Sequence, residues 1–235
     1  RDLRISDNAG LFKALKQSTQ VIPVFIFDRS ILGLLPKNDQ RVLFIYQEIQ
    51  KLKESYRALG SDLAVIYGDP KAEILSLAKK FGVSRVYANR DYEPNALARD
   101  QYLFDQLQKE QIEFIGAKDQ VIFEKNEVTK DDGLPYTIYT PYARKWKAKL
   151  TDYHFKAYPT EKYLNNLYAT QSLPMPTLND MGFNKSDQDF PALDFEKKLA
   201  SYSKKRDYPA AEATTRIGLH LRFGTVSIRE AAKKA

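Results

Sequence analysis

The chain has 235 residues, with 37 Lys and Arg against 30 Asp and Glu and a formal net charge of +7 at neutral pH. It contains no cysteine and only two histidines, His154 and His220. That composition removes disulfide frameworks and thiolate metal sites, and leaves little material for a histidine metal centre or a Ser-His-Asp triad. The basic balance favours a polyanionic partner such as nucleic acid. The lack of cysteine fits a reducing cytoplasm, and no apolar run approaches membrane-spanning length.

The N-terminal half alternates strand and helix. Asp7 is placed to cap a short helix carrying Leu11, Phe12 and Leu15. Residues 21–27 are apolar on both faces, the pattern of a buried parallel strand, with Pro23 tolerable near its start. Val42, Ile45, Tyr46, Ile49, Leu52 and Tyr56 then follow helical spacing up to a stop at Gly60. A second strand over 63–67 leads into Asp69 as cap and Pro70 as first helical residue. That helix carries Ile74, Leu75, Leu77 and Phe81 and ends at Gly82. A strand over 83–88, a helix over 94–110 and a strand over 112–115 complete the series. Strands separated by helices of this length predict right-handed βαβ units and a Rossmann-like parallel sheet. Such a sheet opens on a strand, so the expectation is five strands, the first of them ahead of Arg1. Ligands belong beyond the carboxyl ends of the strands, here Asp28-Arg29, Gly68-Asp69 and the run from Asn89 to Glu93. No G-x-G and no P-loop occur, which argues against a dinucleotide dehydrogenase or a Walker nucleotidase.

Residues 119–193 read as a connector. An Asp131-Asp132-Gly133 turn between two apolar runs suggests a hairpin or an excursion. Thr140-Pro141 is expected to cap a basic helix with Trp146, and Arg144, Lys145, Lys147 and Lys149 cluster there. Beyond it, Pro159, Pro174, Pro176 and Pro191 punctuate a long linker expected to lie over the surface.

A second unit begins near Asp194, with a helix suggested by Phe195, Leu199 and Tyr202. Ser227 and Glu230 form a capping box that starts another helix at Ile228. That helix has about two turns before Ala235, and the expectation is a fragment of a longer chain. Between these helices, Thr214-Thr215-Arg216 places two hydroxyls and a guanidinium at a helix entry. The pattern suits a phosphate, and it equally describes a polar cap with solvated basic residues.

Five blocks in order resemble the photolyase/cryptochrome family. They are Arg1-Asp2-Leu3-Arg4 with Asp7-Asn8; Asn89-Arg90-Asp91-Tyr92-Glu93-Pro94 with Arg99-Asp100; and residues 136–142 with Trp146. Arg206-Asp207-Tyr208-Pro209 and the run Thr214-Thr215-Arg216-Ile217 with Leu221-Arg222-Phe223-Gly224 complete the set. The resemblance implies an α/β antenna domain over 1–118, a hairpin, basic helix and interdomain linker over 119–193, and over 194–235 the start of an all-helical FAD-binding domain. It implies a monomeric DNA photolyase acting on UV-damaged DNA, in which excited reduced FAD passes an electron to a flipped-out pyrimidine dimer. A cryptochrome-type signalling receptor is the alternative in the same fold, and a generic nucleotide-binding α/β module the alternative outside it. Tyr202, Thr214, Thr215, Arg216, Ile217 and Gly218 correspond to FAD-binding positions, with Gly218 standing where the family has a Ser. Arg206 corresponds to a DNA-contacting position, and Asn95 to an antenna contact. Ala96 replaces the neighbouring carboxylate of folate-binding members, and the loop Leu34-Leu35-Pro36-Lys37-Asn38 has no His. The pigment is therefore open between a flavin type, a folate and none. No catalytic residue and no metal ligand is implied within these residues, and the chain alone is expected neither to repair DNA nor to hold FAD tightly.

Overall fold

A computed structural model describes residues 1–235. Helix α1 (Ala9–Gln17) is capped by Asn8, whose Oδ1 accepts from Leu11 N at 3.0 Å. Asp7, expected to be that cap, instead sits in the left-handed region at φ 47°. Its carboxylate turns away from α1 and accepts from Tyr158 N at 2.7 Å. An aspartate tolerates that backbone conformation better than most residues.

Strand β1 (Val24–Asp28) starts later than the apolar run. Pro23 has no N–H to give, and Val21 makes only an isolated bridge to Leu167. A single-turn helix, α2 (Arg29–Leu32), follows on Asp28 as its cap. Then come α3 (Gln40–Ala58), β2 (Ala64–Gly68) and α4 (Pro70–Phe81). Asp69 caps α4 through Lys71 N, and Gly82 ends it at φ 57°, as the sequence predicts. β3 (Arg85–Asn89), α5 (Pro94–Lys109) and β4 (Glu113–Ala117) complete the α/β part.

Every strand pair is parallel, as the βαβ pattern requires. The four strands do not form one continuous sheet, however. β1 pairs with β2, with Phe25 opposite Val65, and β3 pairs with β4, with Tyr87 opposite Ile115. No ladder joins the two pairs.

The main core gathers Leu15, Phe27, Val42, Ile49, Tyr56 and Leu63 with Leu167, Leu178, Met181 and Phe183. The last four come from the connector, which is thus partly core and not only a surface linker. The expected hairpin is absent: residues 121–138 form an excursion with a 3-10 turn at Lys125–Glu127 and a reverse turn closed by Lys130 and Leu134. Helix α6 (Tyr139–Lys149) starts two residues early, with Ile138 at its cap, so Thr140 and Pro141 lie inside its first turn and do not cap it. Three short helices end the chain: α7 (Glu196–Lys205), α8 (Gly218–Phe223) and α9 (Ile228–Lys234). They close over Phe195, Val226 and Ala231, with Leu199, Ile217 and Leu221 packed around them.

Candidate functional site

The segment that the resemblance singles out is the loop between α7 and α8. Tyr202 lies half-buried near the end of α7. The Arg206 guanidinium is exposed and stands 5.8 Å from the Tyr202 ring, within cation–π reach. Buried Ala213 anchors the loop, and Lys198 Nζ reaches from α7 to donate to Thr214 O at 3.2 Å. Thr214 is exposed and Thr215 half-exposed, and neither hydroxyl bonds to another group of the chain. Arg216 is exposed, with φ at 51°, and stands 3.9 Å from the solvent-facing Glu212. Ile217 faces inward onto the small helical core. Gly218 opens α8, and a Cβ there would meet nothing within 4 Å.

Two free hydroxyls and a guanidinium in the loop, with the Lys198 ammonium reaching it from α7, form a donor set for anionic oxygens. The six residues of α8 make only a short dipole, so fixed charge and hydroxyl donors carry the anion preference. That donor set fits a pyrophosphate.

A buried ionic cluster fixes this unit on the α/β part. Arg229 Nε donates to Asp7 Oδ1 at 2.8 Å, and its Nη2 donates to Asp119 Oδ1 at 2.9 Å. Arg4 Nη2 donates to the other Asp119 oxygen at 2.6 Å, and Arg4 Nη1 to Gly224 O at 3.0 Å. The Ser227 hydroxyl donates to Asp7 while accepting from Arg229 N at 3.1 Å. Burial alone would lower the Arg229 pKa, but Asp119 and Asp7 outweigh it and hold the guanidinium above its ordinary value. The capping box expected at Ser227 is half formed. Ser227 caps α9, but Glu230 pairs with Lys234 at 2.7 Å and does not return to the cap backbone. Sequence reading missed Arg229 and Asp119, because no local period marks residues that pair across 110 positions.

His220 belongs to the core. Its Nδ1 bonds Thr225 Oγ1 at 2.7 Å, its Nε2 bonds Pro191 O at 2.8 Å, and Phe44 packs edge-on against the ring.

At the carboxyl ends of β3 and β4, Arg90 Nη2 donates to Glu124 Oε1 at 2.6 Å, and the Tyr92 hydroxyl donates to the same carboxylate at 2.7 Å. Burial and that carboxylate push the Tyr92 phenol well above its ordinary value. Arg222 of α8 pairs with Glu93 at 3.0 Å, bringing the helical unit against this loop. Asn95, two residues on, is exposed in the first turn of α5 and shares no hydrogen bond with Tyr202, Arg206 or residues 214–218. No group of three His, Cys, Asp or Glu side chains is placed to hold a metal. No helix is long and apolar enough to cross a membrane.

A family model for DNA photolyase matches residues 1–162. The deoxyribodipyrimidine photo-lyase of Synechococcus sp. (strain ATCC 27144 / PCC 6301 / SAUG 1402/1) is 31% identical, across 100% of this chain and 52% of its own length. Among solved structures, a bacterial class III photolyase from Agrobacterium tumefaciens superposes with a TM-score of 0.83 at 25% identity, over 99% of this chain and 51% of that one. An archaeal photolyase from Sulfolobus tokodaii, solved with two FAD molecules, gives a TM-score of 0.68 at 26% identity, over 99% and 52%. The chain spans about half the length of the curated relatives it matches.

Proposed function

The chain belongs to the DNA photolyase family, and from that premise we propose that it is part of a light-driven lyase splitting UV-induced pyrimidine dimers in DNA. In this reading, residues 1–118 are the antenna domain, 119–193 the interdomain segment and 194–235 the opening of a helical FAD-binding domain. FAD, when bound, supplies the excited electron. The residues here would hold and orient it: Thr214 and Thr215 would donate to pyrophosphate oxygens, and Arg216 and Lys198 would offset the charge. Ile217 pins the loop to its core, and the Gly218 backbone and Tyr202 would complete the binding site. Arg206, exposed at the end of α7, meets the DNA backbone, and the net charge of +7 supports that partner. Asn95 contacts an antenna pigment at the rim of the sheet.

The observation that carries the reading is the pair of unengaged hydroxyls on Thr214 and Thr215 beside Lys198 and Arg216, in a chain of this family. Dimer-containing oligonucleotide under blue light tests it in the whole protein, with repair and bound FAD expected. Light-dependent partner binding without repair would establish the signalling-receptor alternative instead. A colourless protein that takes up no FAD would favour a plain nucleotide-binding module.

A further inference from the structure

The excursion and α6 carry a row of aromatic rings that no core absorbs. Tyr153 stands 5.9 Å from His154, His154 4.6 Å from Phe123, and Phe123 5.7 Å from Trp146 of α6. One turn back along α6, Tyr142 lies 6.1 Å from Tyr136. These pairs are tilted or edge-on, never stacked face to face. All six rings keep contact with solvent, and none belongs to the main core or to either smaller one. Tyr139, which opens α6 on the same face as Tyr142 and Trp146, is 78% exposed, and Tyr153 is 79% exposed. Large rings left in water side by side mark an interaction surface.

Charge selects the partner. α6 carries Arg144, Lys145, Lys147 and Lys149 and no acid. Lys145 is taken by Asp131 at 2.9 Å, and Lys149 Nζ donates to Glu127 O at 2.5 Å. Arg144 and Lys147 are exposed and bond nothing, as are Lys125 and Lys156 on either side of the helix in sequence. Against these free cations, Asp152 is the one carboxylate between 121 and 156 without a cation beside it; Glu124, Glu127, Asp131 and Asp132 are all paired. Flat rings with unpaired cations around them suit a partner that offers flat faces and phosphates together. An unpaired nucleic-acid strand does so, whereas a duplex keeps its base faces stacked inside. A bilayer is served poorly, since the exposed aliphatic side chains here are only Leu134 and Ile138. We infer that this aromatic ridge is a second nucleic-acid site, on which bases of a single strand stack while Arg144 and Lys147 meet its phosphates. No hydrogen bond or ion pair joins it to Arg206 or to residues 214–218. Binding there requires neither lesion, flavin nor light.

Trp146 is the only tryptophan of the chain, so its fluorescence reports on the ridge alone. Undamaged oligothymidylate of about 12 nucleotides should quench it in the 235-residue chain, in the dark and without flavin. An abasic strand of the same length and charge should leave it unquenched and bind at least about 25-fold more weakly, as two lost stacks at fivefold each require. Tyr139→Ala with Tyr153→Ala should weaken oligothymidylate by the same factor, read by anisotropy of a labelled strand. Tyr139→Phe with Tyr153→Phe should retain binding, because the ring faces remain. Arg144→Gln with Lys147→Gln should lower the slope of log affinity against log salt by about 1.4, at roughly 0.7 per phosphate contact on a single strand. Arg206→Gln should change none of these readings. Equal binding of the abasic strand overturns the proposal by showing charge alone. Unchanged affinity in the paired alanine variant also overturns it. If that variant unfolds, the phenylalanine pair decides, and its failure to bind counts against stacking. Loss of binding in Arg206→Gln assigns the strand to α7 instead. A blue shift of Trp146 on phosphatidylserine vesicles, with no response to oligothymidylate, assigns the ridge to an anionic membrane and overturns it too.

Discussion

Arg229 Nη2 lies 2.9 Å from Asp119 Oδ1, across 110 residues of sequence, with both side chains buried. Asp119 also accepts from Arg4 at 2.6 Å and from Ala9 N at 3.0 Å, so one carboxylate ties the N-terminal segment, α1 and α9 together. Removing one partner of a buried ion pair leaves the other charge uncompensated, which costs about 3–5 kcal/mol. Arg229→Met should lower the unfolding free energy by that amount in urea titrations. Adding Asp119→Asn should cost less than in the parent chain, and the difference measures the coupling.

The alternation of strand and helix was readable because it is local. Asp69 with Pro70, the apolar run after Ile22 and the glycine stops carry period and cap chemistry within a few residues. The cap at Thr140 was misread because α6 begins ahead of it, and the cap at Asp7 because local chemistry hides distant partners. A side chain near a helix start looks like a cap until a distant partner claims it, as Arg229 and Ser227 claim Asp7. The core roles of Leu167, Leu178, Met181 and Phe183 were hidden because an irregular segment has no period to reveal its inward face. At the candidate site, residue types were legible in Thr214 and Thr215, but Lys198, which reaches Thr214 from α7, depends on the fold of the loop.

Asp62 gives the chain an acid-sensitive tie. Its carboxylate accepts from Lys53 Nζ at 2.8 Å, from Leu63 N at 2.8 Å and from Leu173 N at 2.6 Å. Burial would raise its pKa, but the Lys53 and backbone bonds hold it below the ordinary value. A depressed folded pKa contributes stability above the unfolded value of about 3.9 and loses it as pH falls through the folded value. Asp62→Asn should therefore destabilise the chain at neutral pH and flatten the fall in stability below about pH 4. Urea midpoints across a pH series check this, and an unchanged slope would show that Asp62 is not the group responsible.

Gly224 and Gly218 bracket α8 and should respond in opposite ways. Gly224 has φ at 70°, and a Cβ there would collide with the Arg1 carbonyl, beside the bond from Leu3 N to Phe223 O at 3.1 Å. Left-handed backbone alone costs a non-glycine residue roughly 1–2 kcal/mol, and the clash adds to it. Gly224→Ala should lower the melting temperature clearly. Gly218→Ser enters open space without a left-handed φ and should stay within about 0.5 kcal/mol of the parent. Thermal unfolding of the two variants side by side makes the comparison.

Thr214 and Thr215 separate a pyrophosphate site from a polar helix entry. Their hydroxyls bond nothing within the chain, so Thr214→Ala with Thr215→Ala should leave stability almost unchanged. A hydrogen bond to a charged group contributes about 1.5–3 kcal/mol. In the whole protein, loss of both donors, about 3–6 kcal/mol together, should therefore weaken FAD by about 100–10,000-fold, at roughly tenfold per 1.4 kcal/mol. Riboflavin, which shares the isoalloxazine ring but carries no phosphate, should bind both forms alike. Fluorescence titration with the two ligands reads the difference. Equal weakening of both would place the lost contacts at the ring, and no weakening of either would leave the two hydroxyls as a solvated helix entry.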